Sequence, residues 1–449
     1  AIGDINGDGK EDFIVGSSTD FSPMLYFQTK QDKFKEQALF SSQQDMAYEI
    51  ESIALFDADQ DDDLDLYLVS GGNVESSGKA LNEDRLLLND GKGNFNPVAG
   101  TLPLLYSNGS VVRPFDYDND GDLDLFVGGR NKPNAFPLAD QSFLLENNQG
   151  EFKTVSLDFF PQLKNIGMVN DAQWGDLNQD GRADLVIVGE YTGIQVFYNL
   201  PGGFVRDSST LKETTGLWRT ISILDIDQDG DKDLFVGNLG KNNMFSITED
   251  APLIISTQDI DQNGSVDPMM FCNQLNVDGI WEMFPTQFWD NLIQQSPIFR
   301  KEFNSYAAFS EANLQYYLDK KIIDEKSLLK AKYDASLWVE NLGDGKFSLH
   351  ELPDPLQWGP INDFLAVQTE EETLIYVVGN DFGGTPFEGN FDAFQGGIMT
   401  FDGEIKFKSP QESGFYAFGD ARYLDKVRLN NGKQLILVSQ NRQKLLVFE

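Results

Sequence analysis

Cysteine and histidine are almost missing from this chain of 449 residues, with Cys272 and His350 the single examples. One cysteine excludes an intrachain disulfide, and one histidine excludes a multi-histidine metal centre. No apolar run is long enough to cross a bilayer as a helix, and no secretory leader is recognisable. The G-x-S-x-G elbow, the Walker A loop and C-x-x-C pairs are absent as well, which removes common hydrolase, nucleotide and redox signatures. Positive charge is scarce. With 34 Lys and Arg against 72 Asp and Glu, the formal charge is −38, which disfavours nucleic acid and anionic membrane as partners.

What the chain has instead is repetition. Six acidic loops of nine residues recur: DINGDGKED, DADQDDDLD, DYDNDGDLD, DLNQDGRAD, DIDQDGDKD and DIDQNGSVD. Carboxylate or amide oxygens fall at positions 1, 3, 5 and 9 of each. In order these are Asp4, Asn6, Asp8 and Asp12; Asp57, Asp59, Asp61 and Asp65; and Asp116, Asp118, Asp120 and Asp124. The second half has Asp176, Asn178, Asp180 and Asp184; Asp225, Asp227, Asp229 and Asp233; and Asp259, Asp261, Asn263 and Asp267. The seventh-position residues Lys10, Asp63, Asp122, Arg182, Asp231 and Ser265 complete the candidate ligand set. A hard cation that takes roughly six to eight oxygens needs such a cage, and calcium suits it best. About six calcium ions are therefore expected. Position 6 is Gly in five copies and Asp62 in the second, residues that tolerate a left-handed backbone.

These are not EF-hands. Where an EF-hand closes with a bidentate Glu, this chain has Val15, Leu68, Val127, Ile187, Val236 and Met270. Short apolar runs such as Leu66-Tyr67-Leu68-Val69 follow the loops, and others such as Ile221-Ser222-Ile223-Leu224 precede them. Each loop is thus predicted to join two antiparallel strands. A second signature follows at a distance: LLLNDGKGNF from Leu86, LLENNQGEF from Leu144, VFYNLPGGF from Val196 and VENLGDGKF from Val339. It reads as strand, turn and strand. Together the two signatures make a four-stranded unit of roughly 50 residues, the size of a propeller blade.

The expected fold is therefore all-β: one propeller spanning 1–449. Eight candidate blades cover about 1–40, 53–98, 112–156, 172–207, 221–252, 253–350, 361–409 and 420–449. The last two lack the acidic loop. The step from Asp225 to Asp259 is only 34 residues against 49 to 60 elsewhere, which leaves seven blades possible. A helical insertion at about 288–333 breaks the pattern. One capped helix is predicted to start with Ser310-Glu311-Ala312-Asn313 and a second to run from Asp324 through Leu328 and Leu329 to Ala331. Trp289, Phe299, Phe303, Tyr306 and Phe309 are expected to pack on the propeller rim, the alternative being a docking arm or lid.

The loop-and-strand pattern resembles the FG-GAP or VCBS repeats of integrin α-subunit heads and of many bacterial surface proteins. It is most similar to the bacterial branch related to cartilage acidic protein, often exported lipoproteins of Bacteroidota. NLGKNNMF, DQNGSVDP and SLWVENLGDGKF carry that likeness in the C-terminal half. The resemblance implies a calcium-bound propeller that binds something at an extracellular or outer-membrane surface. Calcium loops in extracellular modules bind at about 10⁻⁴ to 10⁻³ M, matching calcium outside cells. The chain begins inside a repeat and is expected to be a mature or trimmed piece.

Three functions follow as expectations. A non-catalytic module for protein–protein interaction, in adhesion or outer-membrane assembly, comes first. A carbohydrate-binding propeller is the alternative. A calcium-dependent polysaccharide lyase comes last, because no Lys, Tyr and acid cluster is nominated. The ligand face is expected opposite the calcium loops, on segments 70–84, 129–140, 238–243 and 380–395. There Phe382, Phe387, Phe391 and Phe394 accompany Asp381, Glu388 and Asp392, either as an aromatic platform or as pins for a long loop. Arg130 and Lys241 are the basic residues of that face.

Overall fold

The computed structural model describes residues 1–72, 82–385 and 388–449. Each apolar run after an acidic loop of the first five repeats becomes the second strand of an antiparallel sheet. These strands are Asp12–Val15, Asp65–Gly71, Asp124–Gly129, Asp184–Thr192 and Asp233–Gly237. Neighbouring sheets cover both of their faces, so they read as continuous apolar runs rather than alternating ones. Leu66, Tyr67, Leu68 and Val69 are fully buried in this way.

Seven sheets are arranged as blades around a ring. Their first strands are Ile2–Gly3, Glu49–Phe56, Gly109–Phe115, Met168–Gly175, Thr220–Leu224, Ile361–Gln368 and Ala421–Arg428. From the second onward each touches the next, and the seventh touches the first. Blades 1 and 2 meet through Ile14 and Leu25 against Leu66 and Leu68. A separate apolar cluster fills every interval between blades, ending with Phe13 of blade 1 against Val427 and Leu437 of blade 7. Polar contacts complete the closure. Gln28 donates from Nε2 to the Arg428 carbonyl at 2.9 Å, and its Oε1 accepts the Asn430 N–H at 2.9 Å.

Blade 5 resolves the count. Its second strand, Asp233–Gly237, pairs with Leu337–Asn341, so residues 238–336 are inserted between its second and third strands. The insertion carries its own sheet, in the order Trp281–Pro285, Met269–Leu275, Leu253–Ser256, Leu328–Ala331. Eight sheets thus form, of which seven make the ring. The sixth acidic loop lies in the inserted sheet, and the short 34-residue step marks the passage from blade to insertion.

The insertion also holds helices Trp289–Gln295, Ile298–Glu302, Tyr306–Ser310 and Leu314–Asp319. Asn313 caps the last, its Oδ1 accepting the Tyr316 N–H at 3.0 Å. The second predicted helix does not form. Asp324 caps a single 3₁₀ turn, and Leu328–Ala331 pairs with Leu253–Ser256 instead, because an open strand edge offers those residues more hydrogen bonds than a short isolated helix. The aromatic arm also differs from expectation. Trp289, Phe299, Phe303 and Phe309 pack with Phe271 and Tyr317 inside the insertion's own core, not on the rim.

Five of the inner strands share an irregularity. The pairing register slips by one residue at Glu51, Ser110, Asn170, Asn362 and Arg422. All five bulges lie toward the end of the ring opposite the acidic loops.

Candidate functional site

The acidic loops fold around their own carboxylates. In the third, Asp116 accepts the N–H groups of Asp120 and Gly121, both at 3.1 Å, and Asp120 accepts that of Asp122 at 3.0 Å. Position 6 has φ between 71° and 101° in all six loops, Asp62 included. Position 4, unmarked in the sequence reading, is also left-handed throughout, with φ from 59° at Gln179 to 69° at Gly7. Gly, Asn or Gln occupies it every time. Its side chain joins neighbouring blades: Gln60 donates to Asp122, and Gln179 to the Gly230 carbonyl at 3.1 Å.

The ninth-position aspartates behave differently from the rest. Asp12, Asp65, Asp124, Asp184 and Asp233 are buried, and each ties its loop to the third strand of its blade. Asp124 accepts the Tyr117 N–H at 3.2 Å and the Asn147 N–H at 2.8 Å. The same bonds to the third strand come from Gln28, Asn89, Asn199 and Asn341. The amide side chains then reach back one blade: Asn89 to the Ile5 carbonyl, Asn147 to Ala58, Asn199 to Tyr117 and Asn341 to Leu177. Burial pushes the carboxyls up to about 6 at Asp12, Asp65, Asp184 and Asp233 and about 7 at Asp124, against the pull of these N–H donors. A bound dication would draw them down again.

Four loops bring carboxylates together, with oxygens within 4.8 Å of one another: Asp57, Asp59 and Asp61; Asp116, Asp118 and Asp124; Asp225, Asp227 and Asp229; Asp259, Asp261 and Asp267. Buried oxygens of Asp59, Asp63, Asp225, Asp231 and Asp233 lack any hydrogen-bond donor. Uncompensated oxygens of this kind fit a hard cation. Loops 1 and 4 are built otherwise. Each has Asn at position 3, Asn6 or Asn178, and a basic residue at position 7. Lys10 pairs with Asp8, and Arg182 with Asp180 at 2.5 Å. Their cationic side chains cannot ligate a metal, so only their carbonyls are available. Asp122 likewise turns to its own hairpin, accepting the Gln149 N–H at 2.9 Å.

On the opposite end of the ring a cavity of about 240 Å³ opens on the axis. Arg130 lines it, paired with Glu190 at 2.6 Å. Lys241 does not; it pairs with Glu351 outside. Among the described residues no aromatic platform assembles from the 380–395 loop, where Phe382 alone of the phenylalanines stands exposed. Phe394 is buried between blades 5 and 6, Phe391 packs against the insertion, and Asp392 is exposed. Phe387 lies outside the described residues, as does most of the 70–84 segment. Glu388 caps a turn at Thr385, while Asp381 binds Arg219 at 2.8 Å and Arg422 at 3.2 Å. The single histidine, His350, stacks on Trp338 beside Glu340.

The fold and loops together define a β-propeller with acidic-loop hairpins. The chain carries FG-GAP-like repeats: that family model matches residues 4–68, 71–127 and 176–236. The sixth loop lies outside these segments. No curated protein matches the chain. Among solved structures, a Lactobacillus plantarum protein is 10% identical, covering 98% of this chain and 95% of that one at a TM-score of 0.41. A Bifidobacterium bifidum protein named as a candidate exo-beta-1,3-galactanase is 10% identical over 63% of this chain and 89% of that one, at 0.30. The Vibrio cholerae biofilm matrix protein Bap1 is 12% identical over 100% of this chain and 66% of that one, at 0.29. The fold assignment rests on the sheet topology and the repeat matches.

Proposed function

We propose that this chain is a non-catalytic, calcium-stapled propeller that binds a protein partner at the cell surface, in adhesion or outer-membrane assembly. The reading is carried by the hairpin of the insertion, Met269–Leu275 with Trp281–Pro285. Its tip displays Leu275, Val277, Ile280 and Trp281, with Val277 95% and Trp281 59% exposed. A cluster of exposed apolar side chains at a hairpin tip is a mark of a protein contact. The acidic charge of the chain favours a protein over an anionic lipid surface. Calcium is the cation that the oxygen-only loops suit best. Against a lyase, the axial cavity is lined by no Lys, Tyr or His among the described residues.

The test is a pull-down from native cell-envelope extract, in calcium and in chelator, with wild type and a Val277→Ser/Trp281→Ser variant. A stoichiometric protein captured by wild type in calcium and lost with the variant is the expected result. Equal capture by both proteins, or no capture in calcium, would end this reading.

A further inference from the structure

The axial cavity is assembled by the bulges. A one-residue bulge re-aims a side chain that the pleat would otherwise send elsewhere. Glu51, Ser110, Asn170, Asn362 and Arg422 are the extra residues of five different blades, and all five line the cavity. Arg219, just before the inner strand of blade 5, supplies the sixth blade's contribution. Ring packing alone needs no such coincidence of irregularities at one depth.

The polar groups are unequally satisfied. Each guanidinium is already neutralised: Arg130 by Glu190, Arg219 by Asp381, and Arg422 by Asp420 at 2.6 Å and by Asp381. These pairs fix the arginines as oriented N–H donors with no surplus charge. One open acceptor is left over. Glu51 lines the cavity, is exposed, and has no ion pair or hydrogen bond among the described residues. Asn108 is 4% exposed and donates from Nδ2 to the Asn131 carbonyl at 2.7 Å. Its Oδ1 has no partner and is closed off from solvent, so it belongs to the cavity wall rather than to its open face.

The chemistry of the occupant follows by elimination. An anion would meet arginines already paired and a free carboxylate. A cation would find one open acceptor, Glu51, against three guanidinium groups that offer only N–H donors. An apolar or aromatic ligand would find no ring in the lining among the described residues. A neutral ligand with several hydroxyls can donate to Glu51 while accepting from the fixed arginines. At about 240 Å³ the cavity is smaller than drug-sized pockets, which begin at about 300 Å³. We infer that the propeller axis is a binding site for one neutral sugar ring of a glycan, held by Glu51 and the paired Arg130.

The test is calorimetric titration of the calcium-loaded chain with the methyl glycosides of glucose, galactose, mannose, fucose and N-acetylglucosamine. Methylammonium and acetate serve as charged controls. The expected result is one-to-one binding of at least one glycoside, weakened about tenfold by Glu51→Gln and by Arg130→Gln. Thermal melting of both variants verifies that they fold, and either folded variant suffices. Binding of a control but no glycoside, binding of no probe, or glycoside affinity unchanged in a folded variant would overturn the site.

Discussion

Asp120 and Asp124 stand four residues apart in one loop and carry different burdens. Asp120 is exposed and accepts one local N–H. Asp124 is buried and joins the loop to the third strand through the Tyr117 and Asn147 N–H groups. Losing a ligand matters only when metal is present, whereas stranding two buried donors matters always. We therefore expect Asp124→Ala to cost roughly 2–4 kcal/mol in chelator, and more in calcium, where a ligand is lost as well. Asp120→Ala should lower stability in calcium and leave the chelated protein almost unchanged. Urea melts under both conditions check this, and equal losses by the two variants in chelator would refute it. The carboxylates were legible as a set from their spacing, but this division of labour was not. It depends on Asn147, which follows Asp124 by 23 residues and becomes its neighbour only when the blade closes.

At the scale of the element, six copies of one loop are not six equal sites. Loops 1 and 4 pair Asn at position 3 with a cation at position 7, and Lys10 and Arg182 occupy a carboxylate that the other loops leave free. The tethered charge competes with calcium for the same oxygens. Titration of the chelated protein should show the loops starting at Asp57, Asp116 and Asp225 filling before those at Asp4 and Asp176. Asn178→Asp combined with Arg182→Ala should tighten the fourth site by about tenfold. Calorimetry resolves the two classes, and an isotherm of that variant superimposable on wild type would count against them. The correlation of Asn with Lys or Arg was visible in the letters. Its meaning needed the contact between side chains two residues apart.

At the scale of the molecule, the interval between blades 7 and 1 has the fewest buried apolar residues: Phe13, Val427 and Leu437. Gln28, itself buried, bridges that interval with two hydrogen bonds, Nε2 to the Arg428 carbonyl and Oε1 from the Asn430 N–H, while Nε2 also reaches the Glu11 carbonyl of its own blade. Blades 2 to 5 use Asn89, Asn147, Asn199 and Asn341 for the equivalent reach, so Gln28 is the closing member of a series. Gln28→Ala is expected to destabilise by about 2–3 kcal/mol. Hydrogen exchange should quicken first in blade 7, at Ala421–Arg428 and Gln434–Gln440. Exchange that rises evenly around the ring would show that closure is not held there.

The sequence by itself determined the local chemistry. Oxygen spacing, left-handed Gly and Asp, and apolar runs of strand length are each decided within a dozen residues, where backbone sterics and burial leave few options. That was enough for the acidic loops, the hairpins and a propeller of blades. Only the tertiary structure decided the number of blades, because strand Asp233–Gly237 takes Leu337–Asn341 as its partner across an insertion of its own folded sheet. It also turned Leu328–Ala331 from an expected helix into a strand, by offering an unpaired edge. The axial cavity lay beyond reach for the same reason. Glu51, Ser110, Asn170, Asn362 and Arg422 share no motif, and a bulge exists only relative to a partner strand, so their convergence is a property of register rather than of composition.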